Sequence, residues 1–338
     1  MKRAGHLFES IADLDNLLLA AYKAFRRKSL VKEVRVYREN LIPNLLELQS
    51  AMFEGRVATG NYRQFVIREP KERMISAAPI EQRILHHAIM NICHDIFDRQ
   101  LIHDSFATRP GNGTHKAVLR LREKAKDYRC YAKLDFRKFF DSIDHEVMRI
   151  RLRRIIKDKR LLHLLDSIVL SYGSDGKGVP IGNLTSQYFA NYYLSGLDHY
   201  MKEVVGVPFY IRYMDDVIML DNDPSRLKEH VRRYIEYSSA NLNLTTKPPI
   251  LGRTCHGVPF LGYKVFHDRI MLGGKGKRRF RRNLLKLDRL LFKGKIDEQE
   301  YASRLGCNVA HVSFADSLKF RRSVLQTGNP YSRLLCGQ

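Results

Sequence analysis

No apolar stretch in this chain approaches the roughly 20 residues that a membrane-spanning helix needs. The longest, such as LLLAAY at 17–22, stop far short. The opening MKRAGHLFESIADLD carries acids where a secretory leader needs an apolar core. A cytoplasmic protein with no membrane attachment is expected. Cysteine is sparse too. Cys93, Cys130, Cys255, Cys307 and Cys336 are scattered, odd in number and never form a CxxC pair. That argues against a disulfide framework or zinc site and for reduced thiols. Thirteen histidines show no HExxH-type spacing, and His86, His87 and His94 read as ordinary core or surface residues of QRILHHAIMNICHDIF. Internal repeats and low-complexity tracts are absent.

Acids are also in short supply. The 36 Asp and Glu face 59 Lys and Arg, a net charge of +23. Such a surplus speaks of partners rather than fold, and it favours a polyanion. Nucleic acid leads, with an anionic membrane surface second. The length of 338 residues, 44% of them hydrophobic, is ample for a large core and more than one lobe.

Periodicity predicts helices over residues 6–24, 37–52, 81–100 and 114–126, with turns and short strands over 55–79. CYAKLDF at 130–136 reads as a strand, and residues 145–173 as a helix in two pieces. A Gly/Pro turn and a long helix precede FYIRYMDDVIML at 209–220, and another helix spans about 224–241. PFLGYKV reads as a strand or hairpin, and from about 273 the chain is basic and helical. Helices, then mixed elements, then helices imply an α+β centre flanked by helical lobes.

FYIRYMDDVIML sets two acids inside an apolar run. Buried carboxylates are expensive unless paired. A hairpin turn is one reading, since Asp favours turns, but no Gly or Asn stands beside these two. The other is a two-metal site, in which divalent cations, rather than Lys or Arg, neutralise the acids. A third acid is then required, and Asp135, ending the apolar strand of AKLDFRKFFDSIDH, supplies it. Asp141 and Asp144 stand where helix caps belong.

LDFRKFFDSIDH followed about 80 residues later by YMDD resembles the palm of reverse transcriptases. The resemblance runs in order from about residue 60 to 265. REPKERMIS and SFATRPGNGTHKAV are similar to the two fingers motifs, and GVPIGNLTSQYFANYYL to the motif that packs against template and nucleotide. LNLTTKPP and PFLGYKV resemble the last two palm motifs, the second being the primer grip. YMDD alone is weak; six ordered motifs are specific. The resemblance implies a right-hand polymerase: an N-terminal helical extension over 1–54, fingers and ferredoxin-like palm over 55–265, and a basic helical thumb over 266–338.

The roles that follow combine resemblance with chemistry. Asp135, Asp215 and Asp216 are the expected metal-binding carboxylates, with the Phe136 carbonyl as a further ligand of two Mg²⁺ ions, Mn²⁺ being the alternative. Lys71 and Arg73 are expected to neutralise the incoming triphosphate. Gly182 is expected to admit nucleic acid close to the backbone, and Lys247 is a candidate proton donor to pyrophosphate. Phe140, five residues after Asp135, holds the place of the family's aromatic beneath the sugar, where a ring clashes with a ribose 2′-OH. It favours dNTPs and argues against an RNA-making enzyme. Arg109 and the cluster Lys275, Lys277, Arg278, Arg279, Arg281 and Arg282 are expected nucleic-acid contacts. Leu284, Leu287 and Leu291 mark the apolar stripe of the thumb helix.

PIGNLTSQ departs from the common pattern. Ile181 stands where most reverse transcriptases have Gln, and Ser186-Gln187 where they have Ser-Pro. This version resembles enzymes of diversity-generating retroelements, as do HLFESIADLDNLLLAAYKA and ISAAPIEQRILHHAIMNI. Those enzymes copy a template RNA into cDNA with errors opposite adenine, in mutagenic retrohoming. Ile offers only apolar contact where Gln would be left unsatisfied by a misaligned pair, so Ile181 is expected to lower fidelity. The partners implied are template RNA, the RNA/cDNA duplex, dNTPs and a small basic accessory protein. No RNase H, integrase or HNH-type segment is seen, so integration is expected to need other factors. Two alternatives stand beside this: an antiphage (antiviral) defence reverse transcriptase copying its own noncoding RNA, and a non-catalytic RNA-binding or maturase-like protein.

Overall fold

Asp13 divides the helix expected over residues 6–24. In the computed structural model, which describes residues 3–28, 30–68 and 72–327, α1 (Phe8–Ala12) stops there. The Asp13 carboxylate then caps α2 (Leu14–Phe25), accepting from the main-chain N of Asp15 and Asn16 at 3.1 and 3.4 Å. The helix expected over 37–52 is likewise two, α3 (Lys32–Glu39) and α4 (Leu41–Phe53), parted at Asn40.

The hairpin of β1 (Arg63–Ile67) and β2 (Arg73–Ala77) follows, then α5 (Ile80–Asp98), α6 (Thr114–Lys124) and β3 (Cys130–Leu134). Residues 145–173 form the two pieces expected, α7 (His145–Ile155) and α8 (Lys159–Leu170). Next come α9 (Leu184–His199), β4 (Phe209–Tyr213), β5 (Asp216–Asp221), α10 (Pro224–Leu242) and β6 (Ile250–Arg253). A small meander of β7 (Val258–Phe260), β8 (Tyr263–Val265) and β9 (Ile270–Leu272) leads into α11 (Gly274–Phe292), α12 (Glu298–Ser313) and α13 (Leu318–Thr327). The mixture of helices and antiparallel sheets is α+β, as expected. Among the described residues, no helix is long and apolar enough to cross a membrane.

Two units divide the chain. One comprises Met1–Arg109, Asp135–Gly206 and Arg232–Lys247. Its core forms where α2 lays Leu17, Ala20, Ala21 and Ala24 against α5, whose Ile84, Ala88 and Ile89 are fully buried. Small side chains let those two backbones approach. Asn16 ties them by donating to the Ala88 carbonyl at 3.1 Å. Asp158 caps two helices at once, accepting from Leu7 and Phe8 at 2.8 and 3.0 Å and from Leu161 at 3.1 Å. Burial works to raise its pKa, but these main-chain donors outweigh it and hold the carboxyl below its usual range. The helix α9 is buried on nearly every face.

The other unit comprises Pro110–Leu134, Val207–Val231 and Pro248–Gln338. Its centre is an antiparallel sheet in the order β4-β5-β3-β6, with α6 against β4 and β8. Val217, Ile218, Met219 and Leu220 of β5 are wholly inaccessible. On α11, Phe280, Leu284 and Leu287 are buried. Leu291 packs beside Leu287, Ile296 and Tyr301, which extends the stripe as expected.

His86 links α5 to α9 inside the first unit, with Nδ1 2.8 Å from the Thr185 hydroxyl. Burial, with His87 nearby, pushes its pKa down to about 3. Unfolding restores a value near 6.5, so the unfolded chain binds a proton that the native chain refuses. Its contribution to stability is whole above about pH 6.5 and is lost progressively as pH falls towards 3. Between pH 7 and 5 the loss is about 2 kcal/mol. His86→Gln should remove that part of the pH dependence of the denaturation midpoint; identical pH profiles for variant and parent would assign it elsewhere.

Candidate active site

The apolar run around the paired acids is the two central strands of the sheet. Tyr213 pairs with Asp216, so Met214 and Asp215 form a two-residue hairpin turn. Such turns need a residue with positive φ, normally Gly or Asn. Met214 takes that role at φ 52°, a conformation that costs a non-glycine residue of order 1 kcal/mol. Arg212, fully buried on β4, donates to the Met214 carbonyl at 3.1 Å. The segment is therefore a hairpin turn, held without the usual turn residues, and both acids stand half-buried at its tip.

Strand β3 runs antiparallel beside β5, with Leu134 opposite Val217. Asp135 is the residue after Leu134, and Asp216 is the residue before Val217. Two lysines meet these carboxylates. Lys133 Nζ lies 2.9 Å from Asp216 Oδ2 and donates to the Pro259 carbonyl at 3.2 Å. Lys247 Nζ contacts Asp135 Oδ2, and its main-chain N donates to the Asp135 carbonyl at 2.8 Å. The chain itself thus supplies an ammonium partner to each of these two acids, which the sequence alone does not place there. Lys133 reaches Asp216 because it pairs with Ile218 of β5, two residues from Asp216 and on the same face, and Lys247 reaches Asp135 because residues 245–247 run antiparallel to 135–137. Lys133 was missed in the sequence. The signal lay two residues before Asp135.

Three carboxylates and a main-chain carbonyl are hard oxygen donors, and their chemistry suits Mg²⁺ or Mn²⁺. Among the described residues, no three His, Cys, Asp or Glu side chains are already gathered to hold a metal ion. At the far end of β5, Asp221 is fully buried and takes a two-pronged contact from Arg226, at 2.8 and 2.6 Å, with His230 Nε2 at 3.2 Å. Burial acts to raise its pKa; hydrogen bonds from Arg226 and from the backbone outweigh it, and the carboxyl is held low.

Other candidates are dispersed over the elements as follows. Phe136 is buried and stacks on Phe139 and Tyr234, with centroids 5.6 and 5.8 Å away. Phe140 is half-buried, edge-on to Phe139, and its carbonyl accepts from Val179 at 2.9 Å. The Ile181 carbonyl accepts from Ser76 of β2 at 2.9 Å. Gly182, at φ 125°, brings its backbone against β2: a Cβ there would sit 3.0 Å from Ile75 and 3.3 Å from the Ser76 carbonyl. That approach to β2 requires glycine in its own right. Arg73 is exposed at the start of β2, and Lys71 lies outside the described residues. Asp144 caps α7 through the Val147 N, as expected; Asp141 sits in a short 3₁₀ turn and caps nothing.

Arg109 is engaged within the chain. It grips Asp98 at 2.6 and 3.1 Å and donates to the carbonyls of Ile102 and Ser105 at 3.0 Å each. Four of its five N–H groups are engaged within the chain, so it is a structural clamp. On α11, Lys275, Arg278, Arg281 and Arg282 are exposed. Lys277 and Arg281 lie over the Phe320 ring at 5.6 and 5.4 Å, and Arg279 contacts His311.

The sequence model of the reverse transcriptase (RNA-dependent DNA polymerase) family matches residues 67–265, more than half of the chain. The chain belongs to the reverse transcriptase family. With the family comes the right-hand polymerase fold. Nuclear intron maturase 2, mitochondrial, of Arabidopsis thaliana is 24% identical over 150 residues, 40% of this reverse transcriptase and 20% of the relative. The group II intron-encoded protein LtrA of Lactococcus lactis subsp. cremoris is 21% identical over 151 residues, 42% and 25% of the two chains. This chain spans about a fifth to a quarter of the length of those relatives. A telomerase structure from Candida albicans, with a fragment of telomeric RNA, shares 10% identity at a TM-score of 0.46, over 89% of this chain and 61% of that one. The matched region holds every candidate residue except the α11 cations.

Removing Lys133 should expose the electrostatic design of the reverse transcriptase site. With a half-buried carboxylate left unmatched, Lys133→Gln should lower unfolding stability by about 1–3 kcal/mol in EDTA. Adding Asp216→Asn should recover part of that loss. Strictly additive effects in the double-mutant cycle would show that the pair is not coupled.

Proposed function

We propose that this reverse transcriptase is an RNA-directed DNA polymerase that makes cDNA on a template RNA. The observation that carries the reading is the common strand end: Asp135 follows Leu134, Asp216 precedes its partner Val217, and Asp215 adjoins in the turn. Asp135, Asp215, Asp216 and the Phe136 carbonyl would hold two Mg²⁺, or Mn²⁺, which when bound activate the attacking oxygen and stabilise the leaving one. Lys133 and Lys247 neutralise and orient the carboxylates. Arg73 and Lys71 would take the triphosphate, and Lys247 is the candidate donor to pyrophosphate. The α11 cations would grip template–primer as part of a thumb over 266–338, beside fingers and palm over 55–265 and an extension over 1–54. Primer extension on RNA with dNTPs and Mg²⁺ tests this. The intact protein should make DNA and the Asp215→Ala/Asp216→Ala variant none; failure of the intact protein, even with its cognate RNA and accessory protein, would sink the reading.

Phe140 would form the floor under the sugar. Phe140→Ala should raise rNTP incorporation at least tenfold relative to dNTPs, which corresponds to about 1.4 kcal/mol of discrimination. Unchanged sugar selectivity would remove it from that role.

The finer reading is an error-prone enzyme of a diversity-generating retroelement, with a small basic accessory protein as partner. Ile181 supports it, since its main chain is tied to β2 and its side chain can offer nucleotide only apolar contact. Sequenced cDNA should carry errors concentrated opposite template adenine, and Ile181→Gln should reduce them several-fold. An accurate parent enzyme would instead favour the defence alternative. The maturase names of curated relatives favour a further reading, an RNA-binding protein that assists introns. Against it, a purely binding role has no need of Asp135, Asp215 and Asp216 together.

A further inference from the structure

The sheet end remote from Asp216 carries a concavity that polymerisation leaves without a role. Its volume is about 590 Å³, and Lys126, Arg129, Asn222, Arg253, Thr254 and His267 are on its wall. Cys130, the first residue of β3, pairs with Asp221 and with Arg253. The start of β3 and the exits of β5 and β6 therefore meet here. Leu134, beside the candidate active site, is four residues away, about 13 Å along the strand.

No acid lines this concavity. Lys126, Arg129 and Arg253 are exposed, and none of them forms an ion pair with a described residue. Lys124, close by, is different: it lies 3.9 Å from both Glu123 and Asp127. An adjoining hollow of about 460 Å³ shares Lys126, Arg129 and Asn222, and its one acid is that same Asp127.

The loop that bears the cations is pinned. Arg129 N donates to Asn222 Oδ1 at 2.9 Å, and Asn222 Nδ2 to the Asp127 carbonyl at 3.1 Å. Thr254 donates twice, from N to the Arg129 carbonyl at 3.0 Å and from its hydroxyl to the Tyr128 carbonyl at 2.5 Å. Like charges fixed together in one wall repel each other, and a bound anion relieves that. The ordered main chain that carries Arg129 also lowers the ordering cost of binding.

We propose that this surface binds the phosphodiester backbone of a folded RNA, at a place separate from the template–primer. Two adjoining hollows sharing their cations suit a run of phosphates better than a single anion. The choice of RNA over DNA rests on the reverse transcriptase reading above. The test uses the full chain and the triple variant Lys126→Gln/Arg129→Gln/Arg253→Gln. The probe is an RNA hairpin with no annealed primer, titrated over a range of salt.

Loss of three phosphate contacts should weaken hairpin binding about tenfold or more and make the slope of log K against log salt shallower by two to three, approximately. Extension of a short oligonucleotide primer–template should be unchanged. Equal affinity and slope in the two proteins would overturn the proposal. So would loss of inorganic tripolyphosphate binding with RNA binding intact, which would make this a small-anion site. If the triple variant does not fold, Arg129→Gln alone, expected to shift the slope by about one, decides. If neither protein extends a primer, even with the cognate RNA and accessory protein, but hairpin binding differs as expected, the surface stands and the polymerase reading falls.

Discussion

An acid at the end of a strand with a buried interior must be neutralised, and β5 meets that demand twice. The strand begins at Asp216 and ends at Asp221, with four inaccessible apolar residues between. At Asp221 the answer is an Arg fork, with the His230 ring 3.2 Å away. A guanidinium bound at two points is a rigid, permanent counter-ion. At Asp216 it is one lysine from the neighbouring strand, and at Asp135 another lysine. An ammonium on a flexible stem is a point charge that can be exchanged for another cation without unfolding anything. One end of the strand is thus held by a two-pronged guanidinium and the other by single ammonium groups, and the divalent cations proposed above would compete only with the latter.

The turn that presents the acids follows the same logic of local strain held by a firm surround. Met214 sits in a conformation it would not choose, and its carbonyl is held by the buried Arg212. Replacing the turn by Asn-Gly would relax the backbone, but Asp215 would then have no place. Gly182 and Ile181 show a second such attachment, in which the turn before α9 is sewn to β2 through Ser76. The position of Ile181 is thereby set by a hairpin as well as by its own turn.

Much of this was legible in the sequence because it is written in local patterns. The apolar run around Asp215 and Asp216 is β4 and β5, and the strand at 130–136 ends where Asp135 begins. Helix breaks were less visible. Asp13, which caps α2, and Asn40, whose side chain makes no capping hydrogen bond, divide helices whose apolar stripes continue across them, so periodicity alone joins what the backbone separates. Lysine partners were invisible for another reason: Lys247 meets Asp135 across 112 residues of chain, and only the fold supplies that contact. Lys133 is the intermediate case, since strand alternation alone would have placed it on the face of Asp135.

Arg109 and the net charge teach a related lesson. A surplus of +23 suggests a uniformly cationic surface. The fold instead draws many cations inward or into pairs. Arg212 is fully buried, and Arg151 is nearly so, donating to the Tyr192 carbonyl and the Ser195 hydroxyl. Arg109 clamps a loop, and Lys133, Lys247 and Arg226 answer particular carboxylates. What composition counts as attraction for a polyanion is partly internal wiring. Among the cations left exposed, Lys126, Arg129 and Arg253 share a wall that no acid lines. Screening confines exposed charge to a range of about 10 Å at 0.1 M salt. A local cluster of three therefore does more to position a phosphate chain than the same charges spread over the whole surface.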